Sequence, residues 1–176
     1  MDRSRWWIGR GGFMLVVLLA VLPCMVQAQD ASPTPAVVAI PPLFQQWLAT
    51  YEAEDAAGFA ALYTPNGVYE DVASASAAEG TVAIEETAEG YFANQNDYAF
   101  VPVSFVQSDD WAAMEYLLSA TDVASGIRIT NVRVATIFEL EDGRIRRSSD
   151  YYDLSGVLDQ LGLLPDDTTV GGTPTS

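Results

Sequence analysis

The spacing of apolar residues shifts along this chain from mostly helical, near 3.6, in the first half of the domain to a repeat of 2 over most of the second, and that shift restricts the folds open to it. Pro41-Pro42 opens a helix in which Leu43, Phe44, Trp47, Leu48 and Tyr51 share one face. Asp55 is placed to cap a second, short helix with the stripe Phe59, Leu62 and Tyr63, which Pro65-Asn66-Gly67 stops. Val68 to Val72 reads as a short strand with Tyr69 and Asp71 on one face, and Ala73 to Gly80 as a loop of small residues. Thr81 to Ala93 is a third helix with Ile84, Ala88, Tyr91 and Phe92 inward. From there the pattern alternates: Ala99 to Gln107, Trp111 to Ala120, Ile127 to Leu140 and Arg144 to Tyr152 read as strands. Ser108-Asp109-Asp110 and Asp142-Gly143 supply tight turns. Helices followed by an antiparallel meander predict an α+β domain with its helices on one face of a sheet.

The last strand carries the polar residues that matter most. Strict alternation puts Arg146, Ser148, Asp150 and Tyr152 on one face and Ile145, Arg147, Ser149 and Tyr151 on the other, so neither face is cleanly apolar. Beyond it Leu154, Val157, Leu158 and Leu161 fall at helical spacing, and Asp153 stands where an N-cap belongs. Asp153 therefore has a structural task. Asp150, near a strand end and flanked by tyrosines, has none of that local kind and is the first candidate for chemistry.

Met1 to Ala28 has the pattern of an export signal: Arg3, Arg5 and Arg10, an apolar run from Phe13 to Val26, then Val26-Gln27-Ala28 as a cleavage site. An uncleaved anchor and lipid attachment at Cys24 are the alternatives; the apolar run is short for a span, and Leu22-Pro23 is a poor context for lipidation. A secreted or extracytoplasmic protein beginning at Gln29 is expected. Residues 29–40 read as a disordered linker, 41–165 as the domain and 166–176 as a disordered tail.

The chain has 24 acidic and 8 basic residues, no histidine, and one cysteine, Cys24, inside the signal. Removing Asp2, Arg3, Arg5 and Arg10 leaves 23 acidic and 5 basic residues, a net charge of −18, and every basic residue is arginine. A surface of that sign repels nucleic acid and anionic membrane. Without histidine or thiolate there is no Ser-His-Asp or Cys-His nucleophile and no histidine or thiolate zinc site. Neither a metal nor a cofactor is expected, and chemistry falls to carboxylates, tyrosines, arginines and backbone.

Taken in order, TYEAEDAAGFAALYTPNGVYEDV, the helix after Gly80, FELEDGRI and SDYYDLSGVLDQLGLL resemble the SnoaL-like polyketide cyclase group of the nuclear transport factor 2-like superfamily, over about Leu43 to Leu164. The resemblance implies a cone: a curved antiparallel sheet packed against N-terminal helices, with an apolar pocket at its open end. In such cyclases, and in the related limonene epoxide hydrolases, a strand-end aspartate does acid-base work; by motif it falls on Asp150. The hydrolases hold a water with a tyrosine and an asparagine in a motif like VYQN, which here is Val68-Tyr69-Glu70-Asp71, so Tyr69 matches and Asp71 replaces the amide. They also carry an arginine and an aspartate two apart on a strand where this chain offers Glu115 with Leu117, or Tyr116 with Leu118. That departure counts against their mechanism and is compatible with a single-aspartate one.

The candidate site is therefore Asp150, Tyr69 and Asp71 for catalysis, with Glu115, Tyr152, Trp47, Phe92 and Trp111 around the pocket. Each has a structural reading: tyrosines as hydrogen-bonded core, Trp47, Phe92 and Trp111 as core, Glu115 as a solvated face, Asp71 as a turn cap and Asp150 as a buried acceptor. Two functions follow. One is an exported acid/base isomerase, cyclase or hydrolase for a small hydrophobic carbonyl compound; the other is a non-catalytic ligand-binding or self-associating module. A homodimer is expected from the exposed back of such a sheet.

Overall fold

A computed structural model describes residues 38–164. The expected signal at 1–28, the linker up to residue 37 and the tail from 166 lie outside the described residues. In chain order the elements are helices α1 (Pro42–Glu52) and α2 (Ala56–Ala61), strands β1 (Tyr63–Asp71) and β2 (Ser76–Glu79), and helix α3 (Thr81–Asn94). Strands β3 (Gln95–Gln107), β4 (Trp111–Asp122), β5 (Arg128–Glu141) and β6 (Arg144–Tyr152) follow, then helix α4 (Leu154–Gln160). Among the described residues no helix is long and apolar enough to cross a membrane.

One six-stranded sheet in the order β2-β1-β6-β5-β4-β3 carries the fold. The meander β3-β4-β5-β6 is antiparallel as its tight turns require, and Asp142 and Gly143 both take positive φ, 50° and 75°, in the last hairpin. The β1–β6 pair is parallel, which the expectation of a wholly antiparallel sheet did not contain. Curvature comes from bulges. The pairing Glu139 with Arg147 and Leu140 with Ile145 leaves Arg146 as an extra residue on β6. Similar shifts fall at Val103 on β3 and at Asn131 on β5, where φ is 54°.

Two local expectations are corrected. The second helix ends at Ala61, and Tyr63 begins β1, where it pairs with Ile145; Pro65-Asn66-Gly67 makes an irregularity inside the strand instead of a helix stop. A side chain at Gly67 would put its Cβ 2.9 Å from the Tyr63 Cβ, so this kink admits only hydrogen there. The loop Ala73 to Gly80 contains β2, which pairs Ser76 with Asp71 and Ala78 with Tyr69. Its small residues give no apolar alternation, so only the edge offered by β1 makes it a strand.

The helices bury their stripes against the inner face of the sheet. Trp47 is at the centre, fully buried, with rings of Tyr51, Phe59, Tyr116 and Phe138 around it and its indole N–H donating to the Tyr63 hydroxyl at 3.3 Å. Phe44, Phe59, Ile84, Met114, Phe138 and Ile145 complete this end. Burying each such side chain is worth about 1.5–3 kcal/mol. Asp55 and Asp153 cap α2 and α4 through the N–H groups of Gly58 and Gly156, at 2.8 and 3.0 Å.

Candidate functional site

Away from the Trp47 end, the inner face of the sheet stays open. Side chains of β1, β3, β4, β5 and β6, with Tyr51 of α1, Tyr91 of α3 and Val157 of α4, line a cavity of about 120 Å³. Strand register puts its polar groups in one row. Asp71 pairs with Asp150 across the parallel β1–β6 ladder, and Asp150 pairs with Thr136 across β6–β5. Both aspartates are buried, at 5% and 6% exposure.

Thr136 donates from Oγ1 to Asp150 Oδ1 at 2.6 Å, and the Tyr69 hydroxyl donates to Oδ2 at 3.0 Å. Since the Thr136 hydroxyl hydrogen is committed to Asp150, the Tyr116 hydroxyl, 3.0 Å from Thr136 Oγ1, donates to Thr136. Asp71 is held differently. Its Oδ1 accepts the Ser74 N–H at 3.0 Å, and its Oδ2 accepts the hydroxyls of Tyr152 at 2.9 Å and Tyr91 at 3.5 Å.

Burial pushes the Asp150 carboxyl up to about 6; the Thr136 and Tyr69 donors pull against burial, and the charge on Asp71 adds to it. The phenols of Tyr51, Tyr69 and Tyr116 are raised well above their ordinary value, first by burial and then by the negative charge of Asp150, so they are donors at any physiological pH. Tyr51 and Tyr69 both line the cavity. The site is thus a buried acid poised near neutrality, held by two hydroxyls, with a second acid alongside and further phenols in the wall. Such a set can accept or return a proton and hydrogen-bond an oxyanion. Among the described residues no three potential ligands gather to hold a metal ion.

The SnoaL-like domain family matches residues 44–148, more than half of the chain. The chain belongs to that family. Solved structures agree on the fold of this SnoaL-like domain. One is a Catenulispora acidiphila protein with a ketosteroid isomerase-like fold, in complex with trimethylamine: TM-score 0.67, 21% identity, covering 72% of this chain and 96% of that one. A proposed polyketide cyclase from Pseudomonas putida gives 0.61 and 19%, covering 67% and 94%. An LEH-like epoxide hydrolase from M. tuberculosis gives 0.57 and 20%, covering 68% and 90%. No curated protein matches the sequence. At these identities the likeness is one of fold, and the family match stops two residues before Asp150.

Of the residues expected at the site of this SnoaL-like domain, Asp150, Tyr69, Asp71 and Tyr152 meet at the cavity. Four expected pocket residues are placed elsewhere. Glu115 and Trp111 point to the outer face of β4: Glu115 pairs with Arg133 and accepts from Ser104, and Trp111 is 51% exposed. Trp47 is core, and Phe92 packs behind the cavity wall, its ring 5.6 Å from Tyr51 and 5.7 Å from Tyr98. Tyr69, expected from the sequence to donate a hydrogen bond to a developing oxyanion, instead gives its one hydroxyl hydrogen to Asp150. Thr136, Tyr116, Tyr51, Tyr91 and Tyr98 were not expected at the site. Only Thr136 left a trace in the sequence, as the one polar residue in the apolar row Val132, Val134, Thr136, Phe138.

Proposed function

We propose that this exported SnoaL-like domain is an acid/base enzyme that acts on a small carbonyl compound bound in the cavity. Asp150 takes the proton next to the carbonyl and returns it at another position, which makes the reaction an isomerisation or an intramolecular carbon–carbon closure. One observation carries the reading: Asp150 is buried at the cavity, is raised to about 6, and is positioned by Thr136 and Tyr69. Tyr69 then orients the base, and the phenol of Tyr51 in the cavity wall is the donor for the developing oxyanion. Size constrains the substrate. An apolar cavity of roughly 150 Å³ holds a benzene molecule, so about 120 Å³ suits a compound of a few carbons or a single ring, not a multi-ring polyketide. The Catenulispora neighbour's complex with trimethylamine is with a ligand of similarly small size.

A second reading has its own observation. Both oxygens of Asp150 already accept hydrogen bonds from the protein, as suits a fixed acceptor in a non-catalytic binding module. Screening small carbonyl compounds by thermal shift, then following hits by NMR in D₂O, tests the pair. Deuterium entering the position next to the carbonyl, lost in Asp150→Asn, supports the enzyme. Hits that bind without exchange or change refute it and leave the module.

A further inference from the structure

Asp71 and Asp150 have hydrogen bonds but no opposite charge. The chain has no lysine to spare: all five arginines among the described residues are committed away from the cavity. Arg133 pairs with Glu115, Arg146 with Glu139 and Arg147 with Glu70, while Arg128 donates to the Asp97 carbonyl and Arg144 to those of Ala61 and Tyr63. No arginine lines the cavity. Two neighbouring buried acids thus leave negative charge in a small enclosed space, and uncompensated buried charge is costly.

The walls suit one kind of counter-charge. Around Asp71 and Asp150 stand the rings of Tyr51, Tyr91, Tyr98, Phe100, Tyr116 and Tyr152. Aromatic rings attract cations, more strongly where water is excluded. A hard metal ion wants six or more oxygen ligands, and two carboxylates amid phenols and aliphatic side chains do not provide them. An alkylated ammonium needs none: its carbon surface meets the rings and its charge meets the acids. The two acids are equally buried, but the phenol partners of Asp71, Tyr91 and Tyr152, are half-buried whereas Tyr69 and Thr136, which hold Asp150, are buried, and this makes Asp71 the better placed to meet an entering ligand.

We propose that the ligand of this cavity is a small organic cation, a tertiary or quaternary ammonium compound, with its charge held by Asp71 and its alkyl groups against the surrounding tyrosine rings. The inference rests on the cavity being the ligand site but not on turnover there. With the proposed chemistry, the substrate becomes a carbonyl compound carrying an ammonium group, one end at Asp71 and the other at Asp150. The strongly acidic surface raises the local concentration of such a ligand.

Calorimetric titration of the purified protein with choline and with 3,3-dimethylbutan-1-ol, its uncharged carbon isostere, at fixed sodium chloride tests this. Choline is expected to bind at least about tenfold more tightly than the isostere. Asp71→Asn should abolish that preference, whereas Glu70→Gln, which removes a charge from the opposite face of the same strand, should preserve it. Equal affinities, or binding of the isostere alone, overturn the cation and leave the cavity as an apolar site. A preference that persists in Asp71→Asn overturns the assignment to Asp71, and binding of neither compound overturns the inference. Should Asp71→Asn fail to fold, the comparison of the two ligands on the parent still decides for or against a cation, and carbonyl turnover is scored separately.

Discussion

Replacing Asp150 by asparagine isolates the energetic consequence of burying this acid. Below pH 3.8 both the folded and the unfolded chain hold its proton, and burial of the neutral group costs little. As pH rises from 3.8 to about 6 the unfolded chain releases the proton while the folded chain retains it, so stability falls across that window. Above it both states are ionised and the loss is constant. At about 1.4 kcal/mol per pH unit, the difference between 3.8 and about 6 amounts to about 3 kcal/mol. The amide cannot ionise and escapes this loss. It keeps one oxygen for a donor, and its N–H₂, like the O–H of the protonated acid, makes either Thr136 or Tyr69 turn its hydroxyl to accept, so that cost is common to the variant and the low-pH parent. Asp150→Asn should therefore be about as stable as the parent near pH 3.5 and about 3 kcal/mol more stable at pH 7. Urea melts of both proteins at several pH values read this out, and comparison with the parent cancels the other titrating acids. A gap that does not change with pH, or a variant less stable at pH 7, would refute the reasoning and make Asp150 an ionised acceptor stabilised by its donors.

Tyr69→Phe removes the donor to Asp150 Oδ2, so the carboxyl should titrate higher still, which carbon-13 NMR of the aspartate carboxyl measures; an unchanged midpoint would dissociate Tyr69 from Asp150. Thr136→Val takes the other donor and leaves Asp150 Oδ1 and the Tyr116 hydroxyl facing a methyl, for a loss of about 1–3 kcal/mol in the same melts. The outer face of the sheet exposes Val101, Val106, Trp111, Ile137 and Tyr151, so a homodimer at micromolar concentration is expected by light scattering, with Ile137→Glu shifting it to monomer. Mass spectrometry of exported protein should give an N-terminus at or near Gln29, and an intact Met1 would indicate an anchor.

The meander and the long helices were legible in the sequence because each is a local pattern: period, cap and turn residues lie within a few positions of one another. Asp55, Asp153 and Asp142-Gly143 do in the structure what their neighbours in sequence imply. What was not legible depends on distant strands. β2 exists because β1 has a free edge, and Tyr63 leaves the helix because Ile145, 82 positions on, offers it a ladder partner. The pocket wall was misplaced for a related reason. Trp111 and Glu115 have the same parity on β4 and face outward, while Tyr116, of opposite parity, faces the cavity; the sequence of that strand is too uniformly apolar to say which face is in.

Strict alternation also fails where it matters for the acid. Counted by twos, Arg146 shares the face of Ser148 and Asp150, and an arginine there would bring a guanidinium into the buried end of the sheet, next to Ser148 and the Tyr63 hydroxyl it bonds. The extra residue at the β6 bulge prevents this. Ile145 turns in and is fully buried, Arg146 turns out to Glu139, and the row from Ser148 to Tyr152 keeps its acid without a cation. The parallel pairing of β1 then sets Asp71 beside Asp150, two residues 79 apart in the chain that no local pattern relates. The bulge keeps the buried core end free of a charge, and the ladder sets a second acid beside Asp150 at the cavity end. The Asp71 charge raises the proton affinity of Asp150, and the paired acids leave the cavity suited to a positive charge brought in from outside.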